Sequence, residues 1–513
     1  MIKYIDLPNL ASILIVEQGI KNREQFMRYR KVCGTLIICM VFVIPAEAQD
    51  RFEEWMQERE EQYQQFKDER DAKFLEMLEE AWKEVDSDDP DENFEEPKFD
   101  EIPEAPERPV TREDKPASNI VEIDLNLTEF AIDDEPMELP EPAFDMPEGA
   151  LASSIDYYNV PLNYAYFEEQ KIEMRGSPNR GEIKRFWTEM SKTDYEPIVN
   201  RAAQIKHELS LNDWGHLKSI YEIGKDIYGG PGNDAVLFTW YMLSKSDYRA
   251  KIGYSSMDVY LLLPAESNIY NTPFYTINGE RYFVIMLDDH QEPPRRINTY
   301  EGSYPDADAK LNLTITEKPG IPEIVEEREF SFWFDGENYS FTVPVNRNLI
   351  EFYEFYPHTD LDIYFNAHRS QITRNALLEN LGEIIDGRDQ VEAANVLMRF
   401  TQTAFKYKTD DEQFGRQKYM LPEETVYYPY SDCDDRAIMF AFLVDELLDL
   451  EVVGVHYSRH LATAVKFDQP PAGDSFMVNG EQFTIADPTY VLADVGKSMP
   501  HLEGANPEII SLR

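Results

Sequence analysis

A repeat between two distant parts of the 513-residue sequence limits the folds that the chain can adopt. The apolar run at residues 235–238 recurs at 437–440, and the turn Asn278-Gly279 recurs as Asn479-Gly480, at offsets of 202 and 201 residues. Each Asn-Gly pair lies between strand-like runs, which is typical of a β-hairpin. A nearly constant offset across a helix and a hairpin predicts two copies of one α+β fold. A chance match of two α+β segments is the alternative.

The later copy contains a cysteine at the start of a predicted helix. Ser431 and Asp432 precede an apolar run over residues 438–450, so either polar residue is a candidate N-cap. Cys433 then lies in the first helical turn, where the helix dipole and the free N–H groups stabilise a thiolate. This position is typical of a nucleophilic cysteine, whereas a lone cysteine is more often a small buried hydrophobe.

A histidine and an aspartate follow the cysteine at equal spacing. His460 opens a strand-like run and Asp487 ends another, and both intervals from Cys433 onward are 27 residues. In a Cys-His-Asp triad the thiolate attacks a carbonyl, the imidazole moves the proton and the carboxylate fixes the imidazole tautomer. The order and the elements therefore predict Cys433, His460 and Asp487 as catalytic residues.

These residues resemble the transglutaminase-like superfamily of cysteine enzymes in its bacterial form. The cysteine motif of that family, roughly Cys-x-Asp/Glu-x-Ala, matches Cys433, Asp435 and Ala437. The family histidine matches His460, and the end of a family strand matches Asp487-Pro488-Thr489. Asp432 stands where the family often has glycine, and no tryptophan follows Cys433 or His460.

The resemblance covers about residues 351–495 and implies a fold and an activity. The fold would be α+β, with tandem papain/transglutaminase-like domains of which the first is degenerate and the second is active. The activity would be that of a cysteine hydrolase, a peptidase or amidase, that cleaves an amide bond through a thioester on Cys433. A transglutaminase that transfers the acyl group to an amine is one alternative. A non-enzymatic binding or assembly protein of the cell surface is another.

The first copy lacks the triad. Counting along the repeat from Ala235, Tyr254 and Asn278 gives the residues at the positions of the cysteine, histidine and aspartate. They are Pro231, Met257 and Met286. None of these side chains performs nucleophilic or acid–base chemistry, so we expect this copy to be structural or ligand-binding.

Acidic residues surround the predicted nucleophile. The negative charges of Asp434 and Asp435 raise the pKa of a neighbouring thiol, in opposition to the helix dipole. We expect one of them to cap the helix or to pair with Arg436 or Arg459.

The oxyanion donor has two kinds of candidate, the backbone N–H of Cys433 and a tyrosine hydroxyl. The tyrosines nearby are Tyr427, Tyr428 and Tyr430. Cys433 with His456 and His460 does not have the spacing of a structural zinc site, so neither a metal nor an organic cofactor is expected.

Charge excludes some partners. The formal net charge is −49 and the isoelectric point is about 4.4. Nucleic acids and anionic membrane surfaces carry the same sign, so neither is an expected partner. A protein or peptide substrate is the partner that the resemblance implies.

Residues 1–48 read as an upstream segment and a signal peptide. A basic cluster at 28–31 precedes an apolar run at 32–45 and the sequence Ala46-Glu47-Ala48, which fits a cleavage site. Met27 is a candidate initiator, and cleavage near Ala48 would remove Cys33 and Cys39. The apolar run is shorter than the ~20 residues of a membrane span. We expect a secreted or periplasmic protein without a membrane span in the mature chain; an N-terminal amphipathic or buried helix is the alternative.

The rest of the chain is divided by composition. Residues 49–86 carry an 11-residue aromatic repeat and predict a charged helix that packs on the protein, self-associates, binds a partner or covers the active site as a pro-segment. An acidic, proline-rich linker is expected at 87–150, a degenerate transglutaminase-like domain at 151–300, a β-rich bridge at 301–350 and the catalytic domain at 351–513. Within these, 310–316 predicts a strand, Asp335-Gly336 a hairpin turn, and 372–385 and 390–405 helices.

Overall fold

The structure, a computed structural model, describes residues 67–80, 82–88, 90, 103–105, 146–287, 294–502 and 507–511. The predicted signal peptide, Cys33, Cys39 and residues 49–66 of the aromatic repeat lie outside this set. The described residues form both α-helices and β-strands, so the α+β prediction is confirmed. The chain divides into two compact units, Met1–Trp82 with Gly302–Asp306, and Lys83–Glu301 with Ala307–Arg513.

The described part of the first unit is helix α1 at residues 67–79 and the segment 302–306. Phe74 and Leu78 on one face of α1 are buried, at the spacing of one helical turn. The Phe74 ring meets the Tyr304 ring edge-on at 5.4 Å, and the Arg70 guanidinium lies 4.6 Å from the centre of the same ring. The aromatic stripe is therefore helical and buried where it is described.

The helix predicted over 49–86 does not extend to residue 86. Residues Lys83–Asp86 instead form strand β1 of the second unit, which pairs with residues 296–299 from Lys83↔Thr299 to Asp86↔Arg296. Beyond Trp82 the sequence offers only Val85 as an apolar side chain and then runs into Ser, Asp and Pro, so no apolar stripe remains to hold a helix. Strand pairing satisfies the backbone there, and the helical prediction for 83–86 is wrong.

The first half of the second unit contains a hairpin, helices and a six-stranded sheet of order β1-β8-β4-β5-β7-β6. Its strands are β1 (Lys83–Asp86), β2 (Leu151–Tyr157), β3 (Val160–Tyr166), β4 (Lys251–Tyr254), β5 (Val259–Leu263), β6 (Phe274–Ile277), β7 (Glu280–Ile285) and β8 (Arg296–Thr299). Its helices are α2 (Arg180–Met190), α3 (Glu196–Glu208), α4 (Asp213–Tyr228) and α5 (Asn233–Lys245), with a 3-10 turn at Glu168–Gln170.

The second half opens on another hairpin and ends in a five-stranded sheet of order β15-β16-β14-β13-β17. Its strands are β9 (Val325–Phe334), β10 (Glu337–Asn346), β11 (Lys406–Tyr407), β12 (Tyr430–Ser431), β13 (Val452–Tyr457), β14 (His460–Val465), β15 (Ser475–Val478), β16 (Glu481–Ala486) and β17 (Glu508–Ser511). Its helices are α6 (Arg347–Tyr353), α7 (Leu361–Phe365), α8 (Gln371–Ile385), α9 (Gln390–Thr403), α10 (Asp410–Gln413), α11 (Pro422–Tyr427) and α12 (Cys433–Leu448).

The two sheets have the same connectivity. Without β1, the first reads β6-β7-β5-β4-β8, and the second reads β15-β16-β14-β13-β17 with every neighbour antiparallel in both. The turn residues Asn278 and Asn479 have φ of 54° and 52°, and the glycines after them 80° and 86°. Two consecutive positive φ values define the tight hairpin turn that an Asn-Gly pair favours. A long buried helix precedes each sheet, α5 before the first and α12 before the second.

The bridge between the halves differs in part from its prediction. The hairpin β9–β10 turns at Asp335-Gly336 as predicted, but residues 310–316 form only an isolated bridge, Leu311 to Ala265. Their apolar side chains are buried in alternation, yet the Asn312 N–H bonds the Asp213 carboxylate and the Thr314 N–H bonds the Asn312 side chain. At Asn312 and Thr314, side chains thus accept the N–H groups that a neighbouring strand would otherwise bond. The helices predicted at 372–385 and 390–405 are present as α8 and α9.

In the part of the chain that the structure describes, no helix combines the length and the apolar character needed to cross a membrane.

We predict that Phe440→Ala lowers the free energy of unfolding by about 3–5 kcal/mol, because Phe440 is fully buried in α12 and its loss leaves a cavity. Phe355→Ala makes the same change at a side chain that is 48% exposed and should cost within about 0.5 kcal/mol. Urea unfolding of the two variants measures the difference. Equal losses would contradict the buried placement of α12.

Candidate active site

The first turn of α12 is held by a reciprocal cap. Asp432 is the N-cap, with extended backbone, and its carboxylate accepts from the Asp435 N–H. The Asp435 carboxylate accepts in return from the Asp432 N–H at 3.1 Å and from the Met420 N–H at 2.9 Å. Of the two candidate N-caps, Ser431 and Asp432, the N-cap is Asp432. Of the two acidic residues that follow Cys433, Asp435 is the one that completes the cap. Cys433 is consequently the first helical residue, and its side chain is fully buried.

His460 and Asp487 are brought together by the sheet. β14 pairs antiparallel with β16, with Thr463 opposite Ala486. His460 at the start of β14 therefore lies near Asp487, the residue that follows β16. The His460 Nε2 and the Asp487 Oδ2 lie 2.9 Å apart, and both side chains are buried. The Tyr457 ring lies nearly parallel to the imidazole at 6.2 Å between centres, and burial, followed by the charge of Asp487, raises the pKa of Tyr457 to about 12.

The hydrogen bonds of Asp487 decide which imidazole nitrogen is basic. The Thr489 and Tyr490 N–H groups donate to Oδ1 at 2.9 and 3.2 Å, which leaves Oδ2 for His460. An ionised carboxylate only accepts, so the neutral imidazole carries its proton on Nε2 and donates it. The His460 Nδ1 is buried and has no hydrogen-bond partner within the described residues. It is the nitrogen available to take a proton.

The connection of α12 to the sheet puts Cys433 at the same end as His460. Residues 449–451 join α12 to β13, and β13 turns directly into β14. A helix of this length rises ~24 Å and a six-residue strand ~20 Å, so the chain returns along β13 to the level of the first turn of α12. The helix packs against β14. By these lengths, the first turn of α12 and the start of β14 lie at the same end of the helix–sheet layer.

The thiol itself contacts a carboxylate. The Cys433 Sγ donates to the Asp434 Oδ1 at 3.2 Å, and both residues are fully buried. Among the described residues, two groups of buried side chains could hold a cation, since the ligand atoms within each group lie within 4.8 Å of one another. The groups are Asp432, Cys433 and Asp434, and Asp410, Asp432 and Asp435.

The positive charge beside these carboxylates comes from Arg436. Its Nε donates to the Ser431 Oγ at 3.2 Å and its Nη2 to the Phe405 carbonyl at 2.9 Å. Burial lowers the pKa of Arg436 to about 10, while the charges of the neighbouring aspartates oppose that shift. Arg436 thus remains a cation at neutral pH and offsets part of the acidic charge around Cys433.

The three tyrosines considered as oxyanion donors take part in packing. The Arg328 guanidinium lies 4.6 Å from the Tyr427 ring centre, and the Lys408 ammonium lies 4.2 Å from that of Tyr430. The Tyr428 ring meets Phe414 edge-on at 5.0 Å. The backbone N–H of Cys433 lies in the first helical turn, where N–H groups have no intrahelical acceptor. It remains a candidate oxyanion donor.

Gln402 on α9 is a site residue that sequence reasoning missed. Its buried Nε2 reaches the carbonyl oxygens of Asp487, Tyr490 and Ala493 at 3.3, 2.8 and 3.0 Å. Its Oε1 accepts from the Leu492 N–H at 3.2 Å. One side chain therefore holds the loop that carries Asp487. The only signal in the sequence is a polar residue among the apolar positions of an amphipathic helix.

A second buried carboxylate lies just before the nucleophile in sequence. Glu423 on α11 is buried, and its Oε1 accepts from the Ser370 N–H. Burial raises the pKa of Glu423 to about 7, while that hydrogen bond and the charge of Arg369 act in the other direction. The folded protein therefore holds a proton on this group at a pH where an exposed glutamate is ionised.

Comparison with known proteins finds no match to this chain: no family model, no curated protein and no solved structure.

We predict that Gln402→Leu lowers the free energy of unfolding by about 2–3 kcal/mol, because buried carbonyl oxygens lose their donor. Gln371→Leu makes the same change at an exposed position at the start of α8 and serves as the matched control. Urea unfolding compares the two. A cost at Gln402 no larger than that at Gln371 would show that the loop does not depend on this side chain.

The proton on Glu423 predicts a pH dependence of stability. The raised pKa means that the folded state binds more protons than the unfolded state between about pH 4.5 and pH 7, so this group reduces stability as the pH rises through that window. Relative to Glu423→Gln, the unaltered protein should lose roughly 2–3 kcal/mol between pH 5 and pH 8. Unfolding free energies at the two pH values measure it, with the exposed Glu379→Gln as the control. A pH-independent difference would contradict the prediction.

Proposed function

We propose that the chain is a cysteine hydrolase that cleaves an amide bond through a thioester on Cys433. The observation that carries the proposal is the buried contact between His460 and Asp487, since it leaves the basic Nδ1 of the imidazole without a partner in the described residues. A buried imidazole oriented by a carboxylate, beside a helix that begins with a cysteine, is the arrangement that activates a thiol. Its substrate would be a protein or a peptide.

We further propose that residues 151–300 and 351–513 are two copies of a papain/transglutaminase-like domain joined by a β-rich bridge. The shared strand order and the matching Asn-Gly turns support the duplication. The first copy would have no triad, since Pro231 precedes α5 and Met257 is exposed. In the second sheet His460 is the pairing partner of Tyr457, whereas in the first sheet Val259 is the pairing partner of the corresponding Tyr254. Only the second copy then carries out chemistry.

The reaction follows from the proton positions. Nδ1 of His460 takes the thiol proton, and the sulfur attacks the amide carbon to form a C–S bond and a tetrahedral oxyanion. The imidazolium, stabilised by Asp487, gives its proton to the leaving amine as the C–N bond breaks. Water then attacks the thioester with the imidazole as base, which releases the carboxylic acid and restores the thiol. An amine in place of water would give the transglutaminase product.

A non-catalytic binding protein is the second candidate. The specific observation in its favour is that Cys433 is fully buried and that its thiol donates to Asp434. Neighbouring carboxylates oppose thiolate formation. On this view the duplicated sheets and the acidic segments would serve assembly at the cell surface.

The proposal includes export from the cytoplasm. The basic cluster, the apolar run and the Ala46-Glu47-Ala48 sequence support a signal peptide that is cleaved near Ala48. The amino-terminal residue of the protein purified from expressing cells tests this point.

We predict that a short pulse of iodoacetamide at about pH 6 alkylates Cys433 and that His460→Ala slows this reaction at least about 100-fold, because the imidazole is needed to ionise the thiol. His456→Ala is the matched control, since His456 lies on the neighbouring strand and contacts Glu508 instead of Asp487. Peptide mapping by mass spectrometry measures labelling of Cys433 separately from that of Cys33 and Cys39.

The outcomes separate the two candidates. Fast labelling that depends on His460 but not on His456 supports a working thiolate–imidazole pair, and release of an acid from a peptide library then distinguishes hydrolysis from transfer to an added amine. Labelling of Cys433 only after unfolding favours the binding protein and overturns the enzymatic proposal.

A further inference from the structure

A short piece of the predicted linker is bound beside the candidate active site. Residues 103–105 lie in extended pairing with Val491: the Ala105 N–H donates to the Val491 carbonyl at 2.8 Å, and the Val491 N–H donates to the Pro103 carbonyl at 3.1 Å. The Glu104↔Val491 bridge is parallel. This three-residue piece of the linker, 103–105, is called the strap below.

The strap is anchored by one small side chain. Ala105 is only 4% exposed, and it packs with Tyr490, Ala493 and Met499 in a small apolar cluster. The neighbouring Glu104 is exposed. A methyl group enclosed by larger apolar side chains leaves little space for a longer residue and none for an uncompensated charge. The site therefore fits an extended segment with a small apolar residue.

The loop under the strap is the one that carries Asp487. Tyr490, which contacts Ala105, is also the residue whose N–H bonds the Asp487 Oδ1. Leu492 in the same loop has φ of +64°, a left-handed conformation that is costly for a residue with a branched side chain. A loop strained in this way persists only where its surroundings restrain it.

Two restraints act on this loop from opposite elements. Gln402 bonds its carbonyl oxygens from α9, and the strap bonds the backbone of Val491 through both its N–H and its C=O. The first restraint belongs to the body of the second unit. The second comes from a segment that the composition of the chain assigns to a linker.

We propose that the strap is a positioning element: by pairing with Val491, residues 103–105 hold the loop in the geometry that orients Asp487 toward His460. The effect on Cys433 rests on the proposed function, whereas the docking of the strap does not. The acidic linker is then coupled to the reactivity of the thiol, and any event that separates residues 103–105 from Val491 lowers that reactivity.

The test is Ala105→Asp in the full chain, with Ala152→Asp as a matched control at an exposed position of β2. We expect hydrogen–deuterium exchange at the amides of Thr489, Tyr490 and Val491 to become about tenfold faster in Ala105→Asp alone, because each loses a restrained acceptor. The rate of Cys433 alkylation at about pH 6 should fall by about tenfold. Ala105→Ser, which keeps the side chain small, should restore both rates.

The results distinguish the strap from the activity. Unchanged exchange at these amides in Ala105→Asp overturns the strap, and so does a rise in the alkylation rate, which would make the segment a cover instead of a support. Should Cys433 of the unaltered protein prove unreactive, the proposed function fails. Exchange alone then decides, and faster exchange in Ala105→Asp still supports docking of the strap onto the loop.

Discussion

The burial of α12 is the constraint on which the second half of the structure depends. Residues 433–444 of this helix are buried without interruption. Water therefore does not reach the first N–H groups of the helix, which have no intrahelical acceptor. The reciprocal bonds between Asp432 and Asp435 supply acceptors for the N–H groups of these two residues from within the turn. The same residues that permit a buried helix start also surround Cys433 with negative charge. The carboxylates that stabilise the start of the helix thus also oppose ionisation of a thiol in the same turn. Arg436 is the neighbouring cation that offsets part of their negative charge.

The carboxylate of Asp487 illustrates how a site is built from ordinary backbone. Two successive N–H groups occupy one oxygen, and the imidazole occupies the other. Because these N–H groups belong to the loop after Asp487, the position of the carboxylate depends on the position of that loop. Gln402 fixes the loop from α9, and the pairing of residues 103–105 with Val491 fixes it from outside. Orientation of a side chain in the site is thus distributed over three segments that are far apart in sequence.

The local elements were predictable where one short pattern decides the structure. The capping residues before Cys433, the strands at His460 and before Asp487, and the Asn-Gly and Asp-Gly turns follow from propensity and from positive φ. The prediction failed where a tertiary partner decides. Residues 83–86 pair with β8 instead of extending a helix. In residues 310–316 the Asn312 and Thr314 N–H groups bond side chains, and the segment forms an isolated bridge at Leu311 instead of a strand. The roles of Gln402 and Ala105 depend on loops that are distant in sequence. A polar residue on an amphipathic helix is a weak local signal for Gln402, and the local sequence around Ala105 gives none.

The strand β1 has a consequence for the connectivity of the chain. β1 pairs along its whole length with β8, the Asp88 N–H bonds the Phe274 carbonyl, and residues 103–105 pair with Val491. Residues 83–88 and 103–105 are therefore attached to the rest of the second unit by backbone hydrogen bonds as well as by the covalent chain. A proteolytic cut between residues 106 and 145 would divide the polypeptide without by itself removing any of these pairings. The protein would then persist as a noncovalent complex of two fragments, with a strand of one completing a sheet of the other.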